Sequence, residues 1–323
     1  MLTIVGAGSV GLTLAARLAR AGQPVRLVTR GADAARAIRE RGIELEDPAS
    51  GATWRVRAAA QAEPPAGETG FVLLCVRAPD TDAAVAALAA ASPAARLVNV
   101  QNGVEGDAVA ARRFARVIGA VYRHPCMRVA ENRVRVLGAG RMVVGAHPAG
   151  AGADVAEVAA LLRAAGYDVG VSPRIGEDRW LKLCVNLMSG PNALVRRSEH
   201  ATRAFTEGKA RLLEEARDAL TAASIAARSC DGRDRSLDAE IAFQRGALER
   251  GDALRALPVF NSVWAGLPSG APLEADAHHR AILELGARHQ IATPTNQRAL
   301  AALERAARER LGPECCGVEI LSP

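Results

Sequence analysis

Two rhythms of apolar and polar positions divide the chain. Up to about residue 173, short apolar runs alternate with longer stretches in which Ala, Leu and Arg recur at helical spacing. The runs LTIV (2–5), PVRLVT (24–29), GFVLLCV (70–76) and RLVNVQNG (96–103) predict strands, GFVLLCV with the unbroken apolar pattern of burial on both faces. The stretches 10–22, 32–42 and 80–91 predict helices, favoured by their alanine content. Alternation of this kind argues for a parallel sheet covered by helices on both faces. ARVIGAVYR (115–123), RVRVLG (133–138) and RMVVGA (141–146) then follow in quick succession, so the sheet is expected to end in antiparallel pieces. One more crossover helix around 158–166 and a last strand, YDVGVSP (167–173), close it.

From about Ile175 strand-like runs nearly vanish. Helical segments are predicted at 177–195, 205–226, 236–250, 273–290 and 294–311. The fold class expected is α/β: an N-terminal Rossmann-type dinucleotide-binding domain over 1–174 and a C-terminal all-helical domain over 175–323. The tail GPECCGVEILSP reads as a loosely held terminus.

Length agrees with that division, because 323 residues exceed the size at which one core usually stops growing. Net charge is +6. Arginines supply it, scattered through helical segments rather than clustered with the scarce aromatics, which argues against nucleic acid and for a local anion site. No apolar stretch is long enough to span a bilayer. The six cysteines form no Cys-x-x-Cys pair and no zinc spacing with the six histidines, so no metal is expected. A start on a strand leaves no room for a signal peptide, and the expectation is a soluble cytoplasmic protein with reduced thiols.

The first candidate site is GAGSVG, residues 6–11, which follows one predicted strand and opens a helix. In that context the glycines have separate tasks. Gly6 allows the tight turn, Gly8 lets backbone approach a pyrophosphate, and Gly11 lets helix and strand pack closely. The amides around Ser9 and Val10 face phosphate at the helix N-terminus. The second strand ends in Thr29 and Arg30 with no carboxylate before Asp33, which suits a 2′-phosphate and hence NADP(H). Two later strand ends bring Arg77, Gln101 and Asn102 to the same edge, although an Asn-Gly pair such as Asn102-Gly103 is also an ordinary turn.

The second candidate is RWLKLCVN. Lys182 lies inside an apolar run, with Asn186 four residues on, so both occupy one helix face. Such a lysine can snorkel to solvent. Held in a cleft it becomes a proton donor. Gly190 and Pro191 end or kink this helix. Glu274 at a helix start also fits a dipole role, and Ser262 also fits an N-cap.

In GAGSVG, QNGVEG, RWLKLCVN…GPNAL and PLEADAHHRAILELGARHQIATPTN the chain resembles the ketopantoate reductase family, NADPH-dependent enzymes that reduce 2-dehydropantoate to pantoate in the pantothenate pathway. The resemblance covers nearly the whole chain. It implies that Lys182 is the catalytic lysine, facing an interdomain cleft, and that Glu274 is the acid that holds it and the substrate hydroxyl. It also implies that Asn102 and Asn186 contact cofactor and substrate, that Ser262 meets the substrate carboxylate, and that the helical domain forms a homodimer. Arg77 stands where the family usually has a lysine, and Gly190 where it often has an asparagine, with Asn192 just beyond. With the bulky Trp264, these departures predict a pocket that suits ketopantoate less well than a bulkier or more apolar 2-keto acid. An oxidoreductase acting on another keto acid or in secondary metabolism, and an NADP-binding sensor without turnover, are the rival readings. No role follows for His124 or for Cys315-Cys316.

Overall fold

The computed structural model describes residues 1–47, 49–251, 262–269 and 273–322. The chain divides into two compact units, Met1–Gly176 and Glu177–Pro323.

The first unit is built on a sheet of eight strands. In chain order its regular elements are β1 (Leu2–Val5), α1 (Ser9–Arg20), β2 (Val25–Val28), α2 (Ala32–Arg41), β3 (Ile43–Asp47), β4 (Ala52–Val56), β5 (Ala59–Gln61) and β6 (Phe71–Leu74). They continue with α3 (Thr81–Ala91), β7 (Arg96–Asn99), α4 (Gly106–Ala111), β8 (Val117–Arg123), β9 (Cys126–Ala130), β10 (Arg133–Val136), β11 (Arg141–Ala146), α5 (Ala153–Ala164) and β12 (Asp168–Val171). The strand order is β12-β11-β8-β7-β6-β1-β2-β5. Every neighbour pair is parallel except β8 with β11, which is the antiparallel joint expected near the end of the sheet. Ile4, Leu27, Leu73 and Val98 fill the layer on one face, and their chain neighbours Val5, Val28, Leu74 and Leu97 fill the layer on the other.

In a second sheet, β4-β3-β10-β9, only β10 is expected as a strand, and it is expected at the end of the main sheet; β3, β4 and β9 have no counterpart among the expected elements. This sheet packs on α1, so that helix has sheet on both flanks. Its strands are half wet: Ile43 and Leu45 point inward, while Glu44 and Glu46 pair with Arg133 and Arg135 at 2.9 and 2.7 Å. Charged residues at every second position mask the strand when unbroken apolar runs are taken as its sign.

The second unit is helical, with α6 (Ile175–Asn186) entering it, then α7 (Ser189–Leu194), α8 (Arg203–Ala222), α9 (Leu237–Arg245), α10 (Ser262–Gly266), α11 (Glu274–His289) and α12 (Pro294–Arg308). The single helix expected at 177–195 is two, because Pro191 has no amide to offer the carbonyl of Leu187 and its ring crowds that carbonyl. Side chains close the helix ends. Thr202 accepts the amide of Phe205, and Ser236 that of Ala239. At the start of α12 both oxygens of Glu215 accept backbone amides, from Thr295 at 2.8 Å and Asn296 at 2.9 Å.

The tail is not loose. The amide of Cys316 donates to Leu194, Cys316 accepts from Arg196, and Ile320 and Leu321 are buried in the helical core. Its Gly and Pro shape the turns, and the apolar residues of VEIL hold it down. Pro272 of the PLEAD motif and the stretch before Ser262 lie outside the described residues.

Candidate active site

Parallel strands deliver their C-terminal ends to one edge, and the central order β7-β6-β1-β2 sets four loops side by side there. The loop after β1 is fixed by its neighbours: the amide of Gly6 donates to Val28 and that of Cys75 to Val5, both at 2.8 Å. The three glycines of GAGSVG face different surroundings. Gly6 has φ +106°, and a Cβ there would stand 2.8 Å from the carbonyl carbon and oxygen of Cys75. A Cβ on Gly11 would stand 1.9 Å from the carbonyl oxygen of Gly6. A Cβ on Gly8 would meet nothing within 4 Å. Gly6 and Gly11 therefore serve packing, while Gly8 keeps space clear in front of α1, where no side chain caps the helix and no acid lies in the first turn. Ser9 and Val10, both half-buried, form that first turn, next to the exposed Gly8. Open space before uncapped amides fits a pyrophosphate.

At the next two strand ends lie Arg30 and Arg77, both exposed, and both turned to one carboxylate. Arg30 donates to Asp80, and Nε of Arg77 lies 3.7 Å from the same oxygen. Gln101, expected at the cofactor, is buried, and its amide nitrogen is committed elsewhere: it donates to Val76 at 2.8 Å and to Thr81 at 2.7 Å. It braces the loop after β6. Asn102 is half-buried in the turn before Gly103, which has φ +87°. Beneath it, Asn99 donates to the buried Asp107 at 2.7 Å.

In the helical unit, α6 buries Leu181, Leu183 and Cys184, and Leu187 just beyond its end is buried too. Lys182, Val185, Asn186 and Ser189 are less covered and recur at the spacing of a single stripe. Lys182 and Asn186 do share a face, as their spacing predicts. Glu274, half-buried, is the first residue of α11, and His278 follows one turn later. The charge of Lys182 bears on His278, so the lysine is in electrostatic reach of the start of α11. Ser262 is exposed and opens α10.

Behind these residues two histidines are buried and neutral. Burial, reinforced by the charges of His279 and Lys182, pushes His278 down to about 3, and its Nδ1 has no partner. Burial pushes His279 down to about 4, partly offset by Nδ1 meeting Asn296 at 2.9 Å. Both fall below the value near 6.5 of an unfolded histidine, so the unfolded chain takes up these protons first. Their stabilising effect is complete above about pH 6.5 and shrinks as pH falls toward 4, by on the order of 3 kcal/mol each. An acid titration followed by circular dichroism should show helix loss with a midpoint that moves to lower pH in His278→Leu. An unmoved midpoint would count against this account.

One further expectation changes. Gly190 is buried, and a Cβ there would lie 2.9 Å from a methyl of Leu303, so position 190 faces the helical core and not a substrate. Gly190 therefore gives no ground for expecting an altered keto-acid pocket. His124, for which no role follows from the sequence, is an interior residue. It is buried among Tyr122 and Tyr167, with ring centroids 6.1 and 5.6 Å away. Cys315 and Cys316 are free thiols, 3.7 Å apart. Two residues at the glycine edge stand outside the expected set. Arg128 of β9 donates to the carbonyl of Ala7 at 3.2 Å, and Asp80 pairs with Arg30. Only the spacing of Arg77 and Asp80, three apart across a turn, is a signal in the sequence.

Residues 2–149 match the family described as ketopantoate reductase PanE/ApbA. A 2-dehydropantoate 2-reductase of Caulobacter vibrioides is 31% identical over 312 residues, covering 95% of this chain and 99% of that protein. The crystal structure of a PanE/ApbA family ketopantoate reductase from Ralstonia eutropha matches with a TM-score of 0.77 at 24% identity, over 96% of this chain and 99% of that one. A D-mandelate dehydrogenase, solved with NADH and anilino(oxo)acetate, matches with a TM-score of 0.79 at 16% identity, over 96% and 99%. At those identities the two structures speak for the fold. The end-to-end likeness to the Caulobacter protein goes further, and the chain belongs to the ketopantoate reductase family of oxidoreductases, which use a nicotinamide cofactor.

Proposed function

We propose that the protein is an NADPH-dependent reductase of 2-keto acids, with 2-dehydropantoate as the first candidate substrate. The observation that carries this reading is the stripe on α6, where Lys182 and Asn186 stand less buried than the leucines beside them. Composition sharpens it. Of the 41 Lys and Arg residues only Lys182 and Lys209 are lysines. Arginine serves for surface charge throughout, so a lysine at 182 suggests a group that must release its proton, which a guanidinium does not do.

When bound, the reduced nicotinamide supplies the hydride. The chain's own residues do the rest. The uncapped start of α1 and the space at Gly8 accept the pyrophosphate, and Arg30 and Arg77 meet the 2′-phosphate. Lys182 donates a proton to the substrate carbonyl oxygen, and its charge favours the developing alkoxide. Asn186 orients that oxygen. Glu274 accepts from the product hydroxyl and steadies the ammonium, while Ser262 and Asn102 are assigned to the carboxylate and to the cofactor.

A bulkier 2-keto acid is the second reading, favoured by Trp264, half-buried two residues after Ser262. NADPH and NADH oxidation over a panel of 2-dehydropantoate, pyruvate, 2-ketoisovalerate and phenylglyoxylate tests both. The highest kcat/KM is expected for 2-dehydropantoate with NADPH. Phenylglyoxylate in first place would favour the second reading. NADH equal to or better than NADPH would overturn the cofactor assignment, and NADPH binding without any oxidation would indicate a sensor.

A further inference from the structure

Most dinucleotide sites hold the ribose 2′-hydroxyl with an acid at the end of the second strand. Here β2 runs out into Thr29 and Arg30. Thr29 is buried, and its hydroxyl donates to Gly31 at 2.7 Å, so the side chain at this strand end serves the local turn. An acid reaches the same place from the adjacent loop. Asp80 lies in the turn after β6, and its carboxylate takes the guanidinium of Arg30 and lies 3.7 Å from Nε of Arg77.

That carboxylate is well positioned. The amide of Asp80 donates to the carbonyl of Arg77 at 2.9 Å, closing the turn. Thr81 donates to Ala78 at 2.7 Å, and Gln101 holds both Val76 and Thr81. The bracing that engages the amide nitrogen of Gln101 therefore also keeps Asp80 in place. Arg30 is three-quarters exposed, so its side chain is free to turn between Asp80 and a ligand.

We propose that Asp80 is the residue that sets cofactor choice, competing with a 2′-phosphate for Arg30 and Arg77 and offering a 2′-hydroxyl the acceptor that β2 lacks. Two guanidinium groups against one carboxylate leave a net charge of one, too little to balance a phosphate that carries nearly two negative charges near neutral pH. The carboxylate also repels that phosphate at short range. For a hydroxyl the same group is an asset, because it accepts the hydroxyl proton. This inference rests on the proposed meeting of Arg30 with the 2′-substituent.

Equilibrium binding of NADPH and NADH to the full-length protein, read by quenching of tryptophan fluorescence, tests it without turnover. Asp80→Asn should tighten NADPH about tenfold, as expected when one like charge is removed from a partly solvated site, and leave NADH unchanged or weaker. A ratio of the two affinities that stays within about twofold of wild type, or moves toward NADH, overturns the proposal. Arg30→Ala in the same series keeps the two readings apart. If it weakens NADPH selectively while Asp80→Asn changes nothing, Asp80 is not the determinant and the cofactor assignment stands. If it weakens both cofactors alike, the assignment to Arg30 fails, and Asp80 is still judged from its own variant.

Discussion

Replacement of Lys182 by Ala is expected to cut turnover of the preferred keto acid by roughly a hundredfold or more, the usual contribution of a general acid. NADPH binding should change little, since the glycine loop and the arginine pair belong to the other unit. If the lysine gives its proton in the transition state, kcat and kcat/KM fall together. The wild-type pH profile should have a basic limb that reports its deprotonation, and the Ala variant should lack it. Lys182→Arg separates charge from proton transfer: it keeps the cation and holds its proton too tightly to release it. A stripe of α6 that merely lets a lysine reach water would give near-normal turnover in both variants, and that result would remove the mechanism. The nearby histidines do not confuse the limb, because His278 and His279 are already neutral throughout the working range.

The glycine loop offers the second large effect, as a contrast between two substitutions of one chemical kind. Gly11→Ala drives a methyl against the carbonyl oxygen of Gly6, backbone on both sides, where nothing can turn aside. Destabilisation of about 3 kcal/mol is expected, at the upper end for overpacking, together with loss of NADPH binding. Gly8→Ala places its methyl in open space, at φ −77° and ψ −174°, a conformation that alanine adopts freely. The fold should keep its stability, while NADPH affinity drops at least about tenfold because the methyl fills the space kept for phosphate. Thermal denaturation beside cofactor titration reads both. Equal loss of stability in the two variants, or normal NADPH affinity in Gly8→Ala, would contradict the division of labour among these glycines.

Much of the fold is legible in the amino-acid sequence. Strands buried on both faces have no polar positions to hide them, so β1, β6 and β7 stand out, and the helices between them follow from alanine and spacing. GAGSVG can be assigned because its neighbours are a strand and a helix. The second sheet stays hidden because Glu44 and Glu46 face Arg133 and Arg135, partners almost ninety residues away in sequence. Gln101 looks like a ligand contact because its type and strand end are right. What its amide actually meets, Val76 and Thr81, depends on β6 and β7 being neighbours. Gly190 misleads for a related reason. A motif position says which residue is present but not which way it faces, and the kink before Pro191 turns it onto Leu303. Asp80 escapes a linear reading because its meaning lies in a pairing across two loops.

The placement of α1 has a consequence for anyone who wishes to redesign the enzyme. With the main sheet on one flank and the second sheet on the other, Gly11, Leu12, Thr13, Leu14, Ala15, Ala16 and Leu18 are all buried, so most positions of the helix that carries the phosphate end do not tolerate a different side chain. Its sequence is a fixed part of the scaffold. Freedom to exchange one nicotinamide cofactor for another is expected chiefly in the exposed arms of Arg30 and Arg77 and the partly exposed Asp80. A library aimed at cofactor choice should vary those three positions and leave the helix untouched.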